Sequence, residues 1–475
     1  MKIKYKNIIS CLLIALLLES CAAPKIMEAN KVTPLPEMFN GKVDTSNMVK
    51  IAWNHFFTDT QLTALIDTAL RNNLDLLMTV QDIEIAKSKI RLTGGKLLPT
   101  VTAGMGASVE KVGRFTSQGA GDASADITPG QGVPESLTNF QLGFQTSWEA
   151  DIWGKLRNAK KSAYTNYLGS VEGKKWVTTN LIAEVANSYY ELVSLHAQQD
   201  TIKNAIELQQ KELEVVKAQK EASVVTELAV KQFEALVYNA ENLVFDISQN
   251  ITETENKLNL LLGRYPQKIK VSNGFNQPLP KAIQVGIPSQ LLKNRPDIQQ
   301  AELALIASKL DVKVAAAEFY PSVNMGAGLG LNAFKTQYLF RSPESIMYSV
   351  MADVAGPLIN KSAIKAEFAN ANALQIEAAY QYQKAILNGF IEVTNQVSNV
   401  NNLESSFQLK NKEAAAQIAA VSISSELFKY GKANYLEVLT SQREALSSKI
   451  ELIEIKKQQY QSITNLYKSL GGGWQ

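Results

Sequence analysis

The sequence predicts a mostly α-helical chain that also supplies strands to a transmembrane β-barrel, with one structural unit built twice. Three observations lead there. Four stretches of about ten residues alternate apolar with small or polar side chains. Two much longer stretches carry an apolar heptad seam and no proline. The second half of the chain echoes the first.

Composition sets outer bounds. The chain has 475 residues, 45% hydrophobic and 20% charged, with 48 Lys+Arg against 45 Asp+Glu. That balance excludes a protein built mainly to grip nucleic-acid phosphates, and the apolar content excludes wholesale disorder. Two Cys and two His leave almost no material for a zinc site, a disulfide scaffold or a Cys/His nucleophile pair. His55 and His196 lack ligand-spaced partners, so no metal and no cofactor is expected. Gly471-Gly472-Gly473 follows a helical stretch instead of opening one, which excludes a phosphate cradle.

The N-terminus reads as an export signal over 1–20. Lys2, Lys4 and Lys6 precede the apolar run Ile8–Leu18, which is shorter than the roughly 20 residues of a spanning helix. Leu18-Glu19-Ser20-Cys21 resembles the bacterial lipobox, with Glu19 an unusual occupant. Cys21 is therefore the expected lipidation site, palmitate among its acyl chains, and 21–60 a lipid-anchored N-terminal segment. No later stretch reads as a membrane-spanning helix, so any spanning structure must be made of strands.

The repeats follow. Asn72-Asn73-Leu74-Asp75 is echoed by Asn294-Arg295-Pro296-Asp297, and Leu98-Pro99-Thr100-Val101 by Tyr320-Pro321-Ser322-Val323. Farther on, Thr226-Glu227-Leu228 is matched to Leu436-Glu437-Val438, and Gln232, Glu234, Ala235 and Leu236 to Gln442, Glu444, Ala445 and Leu446. The repeats are placed at 61–263 and 289–473, joined by a Pro- and Gly-bearing connector, 264–288.

Within each repeat a helical stretch comes first, 61–93 and 297–317. Strands are expected at 101–110, 140–148, 323–332 and 345–354. Val101, Ala103, Met105, Ala107 and Val109 share one face of the first; Gly104, Gly106 and Ser108 lie on the other. An apolar face opposite a small or polar one suits a membrane barrel wall. The stretches 111–139 and 333–344 join the strand pairs as exposed loops. Long helices are expected at 155–219 and 361–429, returning as 226–262 and 435–469. The first seam steps through Leu181, Val185, Ser188, Leu192 and Leu195 to Val216; the other runs from Val393 through Glu404, Phe407, Asn411, Ala414 and Ile418 to Phe428.

Four strands cannot close a barrel, and an open edge in lipid leaves backbone groups unpaired at several kcal/mol each. Copies must therefore pool their strands, two giving eight and three twelve.

Trp148-Glu149-Ala150-Asp151-Ile152-Trp153-Gly154-Lys155 resembles the strand-to-helix signature of the TolC-like outer-membrane efflux channels, in particular their OprM/NodT-like lipoprotein branch. Asn294-Arg295-Pro296-Asp297-Ile298, the run Tyr430–Leu439 and the terminal Leu470-Gly471-Gly472-Gly473-Trp474 resemble further signatures. The resemblance implies a homotrimer with a 12-stranded β-barrel in the outer membrane and a 12-helix α-barrel projecting into the periplasm. It implies the exit duct of a tripartite efflux pump, passing small molecules from an inner-membrane RND-type transporter and a periplasmic adaptor protein to the outside. It implies no enzyme activity and no nucleic-acid partner. By its matching family position Glu437 is a candidate for the channel constriction, with Glu227 as its repeat mate and Arg443 as a residue that could hold a closed gate by pairing with a carboxylate. Ala222, Ser223, Val224, Gly431 and Lys432 are candidate adaptor-contacting tips. The exit channel of a one-step protein secretion system, which uses the same fold, and a soluble coiled-coil scaffold are the alternatives.

Overall fold

The computed structural model describes residues 24–28, 34–39, 51–272, 274–275, 285–357, 359 and 361–474. The export signal, Cys21 and parts of the connector lie outside the described residues. No helix among the described residues is long and apolar enough to cross a membrane.

In chain order the helices are α1 (Trp53–Phe56), α2 (Thr60–Asn72), α3 (Leu74–Gly95), α4 (Ser117–Asp122), α5 (Lys155–Glu221), α6 (Glu227–Leu261), α7 (Leu291–Asn294), α8 (Pro296–Ala317), α9 (Thr336–Leu339), α10 (Ser362–Lys429) and α11 (Tyr435–Ser469). The strands are β1 (Thr100–Glu110), β2 (Asp126–Thr128), β3 (Gln131–Gly132), β4 (Leu137–Ala150), β5 (Ser322–Ala333) and β6 (Ile346–Ala355). The chain divides into two compact units. One takes in Ile85–Tyr167 and Ala304–Ala379; the other takes in Asn30–Glu84, Leu168–Leu303 and Tyr380–Gln475. Each unit therefore draws on both halves of the sequence.

The first unit carries the sheet, antiparallel throughout, in the order β1-β4-β5-β6. Its register sorts the side chains cleanly, because cross-strand partners share a face. Ala103, Phe144, Leu329 and Tyr348 form one row, and Met105, Leu142, Leu331 and Ile346 the next; both lie on the apolar face. On the opposite face Thr102, Gln145, Gly328 and Ser349 make one row, and Gly104, Gly143, Gly330 and Met347 another. Glycine is required there by close approach: a Cβ on Gly143 would meet the Gly330 Cα at 2.8 Å. Glycine at these positions lets neighbouring strands approach closely on the small, polar face. β1 and β6 have no partner on their outer edges among the described residues.

The long stretch between β1 and β4 is more ordered than a plain loop. It contains α4, capped by the Thr116 hydroxyl accepting from Gly119 N, and the β2–β3 hairpin. The sheet passes into α5 through Gly154 (φ 76°). Asp151 then caps that helix, accepting from the backbone N–H groups of Leu156 (3.0 Å) and Arg157 (2.9 Å) and from the Arg157 guanidinium. Burial pushes this carboxyl up, but those donors outweigh it and hold it below the ordinary aspartate range.

The second unit is helical. Leu62, Ile66, Leu181, Val185, Tyr189, Leu192, Leu258 and Leu262 form its largest apolar core. Beside it Asp59 caps α2 and accepts from the Tyr189 hydroxyl (2.8 Å) and the Ser272 hydroxyl (3.1 Å). A second cluster gathers Phe39, Leu291, Ile298, Val393, Leu466 and Tyr467, with Phe39 stacked on Phe390 at 5.3 Å between ring centres. The ammonium of the buried Lys457 reaches Glu191 and Glu454, each at 2.8 Å.

Two differences from the sequence reading stand out. The first concerns repeat register. α6 and α11 are equally long, and each ends in a glycine of positive φ, Gly263 and Gly471. That pairing matches Val230 with Val438, Val237 with Ala445 and Ala240 with Ser448, all buried. It matches Glu227 with Tyr435, two residues away from the register read from the sequence, so Glu227 and Glu437 are not structural equivalents. A two-residue slip turns a helix by about 200°, and would have set the exposed Leu228 against the buried Val438. The second concerns α10. Its seam is half-buried or buried at Leu403, Phe407, Lys410, Ala414, Gln417, Val421 and Phe428, while Glu404, Asn411 and Ile418 are exposed. Three steps of the expected seam, at Glu404, Asn411 and Ile418, are thus shifted by one residue, while Val397 and Ser425 are half-buried as expected. In α5 the expected seam is covered from Leu181 to Val216.

Candidate functional site

The two helical hairpins finish at a common apolar cluster. It takes Leu213 and Val216 from α5, Val230 and Phe233 from α6, Phe428 from α10 and Val438 from α11. The structure thereby brings the turn at Ala222–Val224 and the turn at Gly431–Lys432 to one end of this unit.

Both turns are closed in the same way. Val224 N donates to Gln219 O (2.8 Å) and Ser223 N to Lys220 O (2.9 Å); Lys432 N donates to Leu427 O (2.9 Å) and Gly431 N to Phe428 O (3.0 Å). These are paired 6→1 and 5→2 bonds around a left-handed residue. Gly431 takes that conformation (φ 65°) without a Cβ to crowd the backbone, whereas Ser223 takes it (φ 59°) with one. Ala222, Ser223, Gly431 and Lys432 are exposed, and Val224 presents an exposed apolar side chain.

Glu227 opens α6, where the helix dipole favours an anion. Its carboxylate bridges the turn to the Lys220 ammonium at 2.8 Å, with Lys231 at 3.8 Å and Lys231 in turn on Glu234 at 2.9 Å. The hydrogen bond from Lys220 holds the Glu227 carboxyl below its ordinary range. Glu437 is the third residue of α11. Its backbone N–H donates to Asn434 Oδ1 (3.1 Å), and Asn434 Nδ2 donates to its carboxylate (3.2 Å). That is a reciprocal capping arrangement, and the carboxylate remains exposed. Arg443 lies about 120° round the helix from Glu437 and approaches its own neighbour, Glu444, at 3.6 Å. The structure does not bring Arg443 to Glu437 within one chain.

Lys220, Lys231 and Asn434 were not singled out from the sequence. Asn434-x-x-Glu437 ahead of an apolar run is a readable capping signal. The Lys220–Glu227 bridge has no comparable signature, since it depends on how tightly the turn closes. No group of His, Cys, Asp and Glu suited to a metal ion occurs among the described residues.

The description "Outer membrane efflux protein" matches residues 65–264 and 287–472. The chain belongs to that family. The efflux protein is 28% identical to the pyoverdine export outer membrane protein OpmQ of Pseudomonas aeruginosa, over 100% of its own length and 98% of the relative's. It is 27% identical to the cation efflux system protein CusC of Escherichia coli O6:H1, over 97% and 98%. A solved membrane protein from Pseudomonas aeruginosa has the same fold, with a TM-score of 0.84 at 24% identity, covering 95% of this chain and 97% of that one. The efflux protein is thus an outer-membrane transport channel, and its apolar sheet face is the face toward lipid.

Proposed function

We propose that three copies of this chain pool their sheets into a 12-stranded barrel and their helices into a periplasmic tube. This is the outer-membrane exit duct of a tripartite efflux pump. A periplasmic adaptor and an inner-membrane transporter load it with small molecules. The observation that carries the reading is the four-stranded sheet with one apolar face and two open edges. In lipid such edges must be paired, and β6 of one copy with β1 of the next is the pairing that preserves the antiparallel order. Exposed apolar residues on the long helices support it: Tyr238 and Phe245 on α6, and Leu409, Ile423 and Leu427 on α10, have no cover within one chain.

In this reading the turns are the far end of the duct. Glu437 contributes a carboxylate from each copy to the constriction, Glu227 flanks it while tied to Lys220, and Arg443 meets a carboxylate only across copies. Ala222, Ser223, Val224, Gly431 and Lys432 contact the adaptor. Cys21 carries the lipid that holds the N-terminal segment to the membrane. Single-channel recording in planar bilayers tests the constriction. Glu437→Gln should weaken block by multivalent cations added on the periplasmic side; unchanged conductance and block remove Glu437 from the pore.

A further inference from the structure

The charges of the membrane wall are distributed with a bias that the channel reading does not use. β1, β4, β5 and β6 contain the charged residues Glu110, Glu149 and Asp353, and no Lys or Arg. All three acids fall on the same face. Glu149 pairs with Asn324, and Asn324 with Asp353, in one row at the end of the sheet next to α5. Glu110 sits at the opposite end, in the row after Ser108 and Asn139 on that face. It is the glycine-bearing face, opposite the apolar rows.

The three acids are not equal. Glu149 is neutralised by the Lys155 ammonium at 2.6 Å, which also reaches Glu318 at 3.6 Å. Burial pushes the Lys155 ammonium down, but its carboxylate partners outweigh this and hold it above its ordinary range, so it stays charged. Asp353 accepts from the Asn324 amide at 3.3 Å, and has no ion pair among the described residues. β6 is an open edge, and the β1 strand that would close against it brings no cation.

We propose that the β-barrel is itself a charge filter favouring cations over anions, with Asp353 as its specificity-determining residue. This rests on the trimeric channel reading. Each copy places the Asp353 carboxylate at the same depth inside the wall, while Glu110, which likewise has no ion pair among the described residues, sits at the other end of the strands. A ring of like charges lining an aqueous passage raises the local concentration of counter-ions and repels co-ions. Cationic solutes gain passage; anions are slowed. This is a field acting along the pore, with no fixed binding site, and it acts separately from the helix turns.

The test is the reversal potential of the purified full-length channel in planar bilayers under a potassium chloride gradient, at about 0.1 M salt where fixed charges act over roughly 10 Å. Wild-type channel should prefer potassium. Asp353→Asn should lower the cation-to-anion permeability ratio by at least about twofold. Asp353→Lys should lower it further, toward anion preference. Lys155→Met, which uncovers Glu149, should move the ratio the other way. Unchanged selectivity in Asp353→Asn, with oligomer and conductance intact, overturns the proposal. If Glu437→Gln alone shifts the ratio, the filter lies at the turns and not in the barrel. If none of the proteins conducts, the channel reading itself fails.

Discussion

Arg295 donates to the main-chain carbonyl of Ser469 at 2.9 Å, as Asn73 donates to that of Leu261 at 3.0 Å, so one clasp is made twice. Each clasp residue stands at the break between two consecutive helices and satisfies a carbonyl in the last turn of a returning helix. Arg295 is the more elaborate. It is 1% exposed, bidentate on Asp297, bonded to Glu392 at 2.6 Å and set over the Trp176 ring. Desolvation opposes its charge, but the two carboxylates outweigh that and keep the guanidinium protonated.

Removing the guanidinium should therefore be costly. Arg295→Met leaves the buried Ser469 carbonyl without its donor and the partly exposed Asp297 and Glu392 carboxylates without their cation, and should cost about 1–3 kcal/mol. The readout is the midpoint of thermal unfolding followed by circular dichroism in detergent. Arg295→Lys should recover only part, because a single ammonium cannot fork onto Asp297.

The glycines of positive φ are separable by the same measurement. A Cβ on Gly471 would overlap the Asn294 carbonyl oxygen, and Gly471→Ala should cost at least about 2 kcal/mol. Gly431 has open space around it, and Gly431→Ala should cost only the left-handed backbone penalty, about 1 kcal/mol. Ser223→Gly should stabilise by a similar amount, as it relieves that penalty in the other turn.

Alkaline pH should loosen the helical core through Tyr189. Burial, with the Asp59 carboxylate opposite, pushes its phenol up to about 12. Its folded value lies above the ordinary one near 10, so its contribution is complete below pH 10 and is lost as pH rises through about 12. Tyr467, pushed up to about 12 by burial, adds to the same window. Unfolding midpoints measured from pH 8 to pH 12 should fall mainly above pH 10. Tyr189→Phe should start less stable, having lost the bond to Asp59, and should fall less over that range.

Much of the fold was legible in the sequence because membrane strands and long helices carry strict periods. The alternation at Val101–Val109 sets faces without reference to neighbours, and the register then only joins those faces into rows. Helix register is weaker information. Glu, Gln, Ala and Leu recur at many spacings, so Glu227-Leu228 could be matched to Glu437-Val438. Gly263 and Gly471, which stop their helices for a steric reason, are the reliable markers. On α10 the expected seam departs from the observed one at Ile418, which is apolar yet exposed within one chain. The clasp was hidden for a different reason. Asn-Arg-Pro-Asp shows a helix start at Pro296, but nothing local tells that Arg295 reaches residues so distant in sequence.

If copies of the chain share one wall, native mass spectrometry of the channel released from detergent micelles should show one dominant species of three subunits, and dissociating it by heat should abolish conductance in bilayers. A stable monomer, or an assembly of two subunits that conducts, would contradict it.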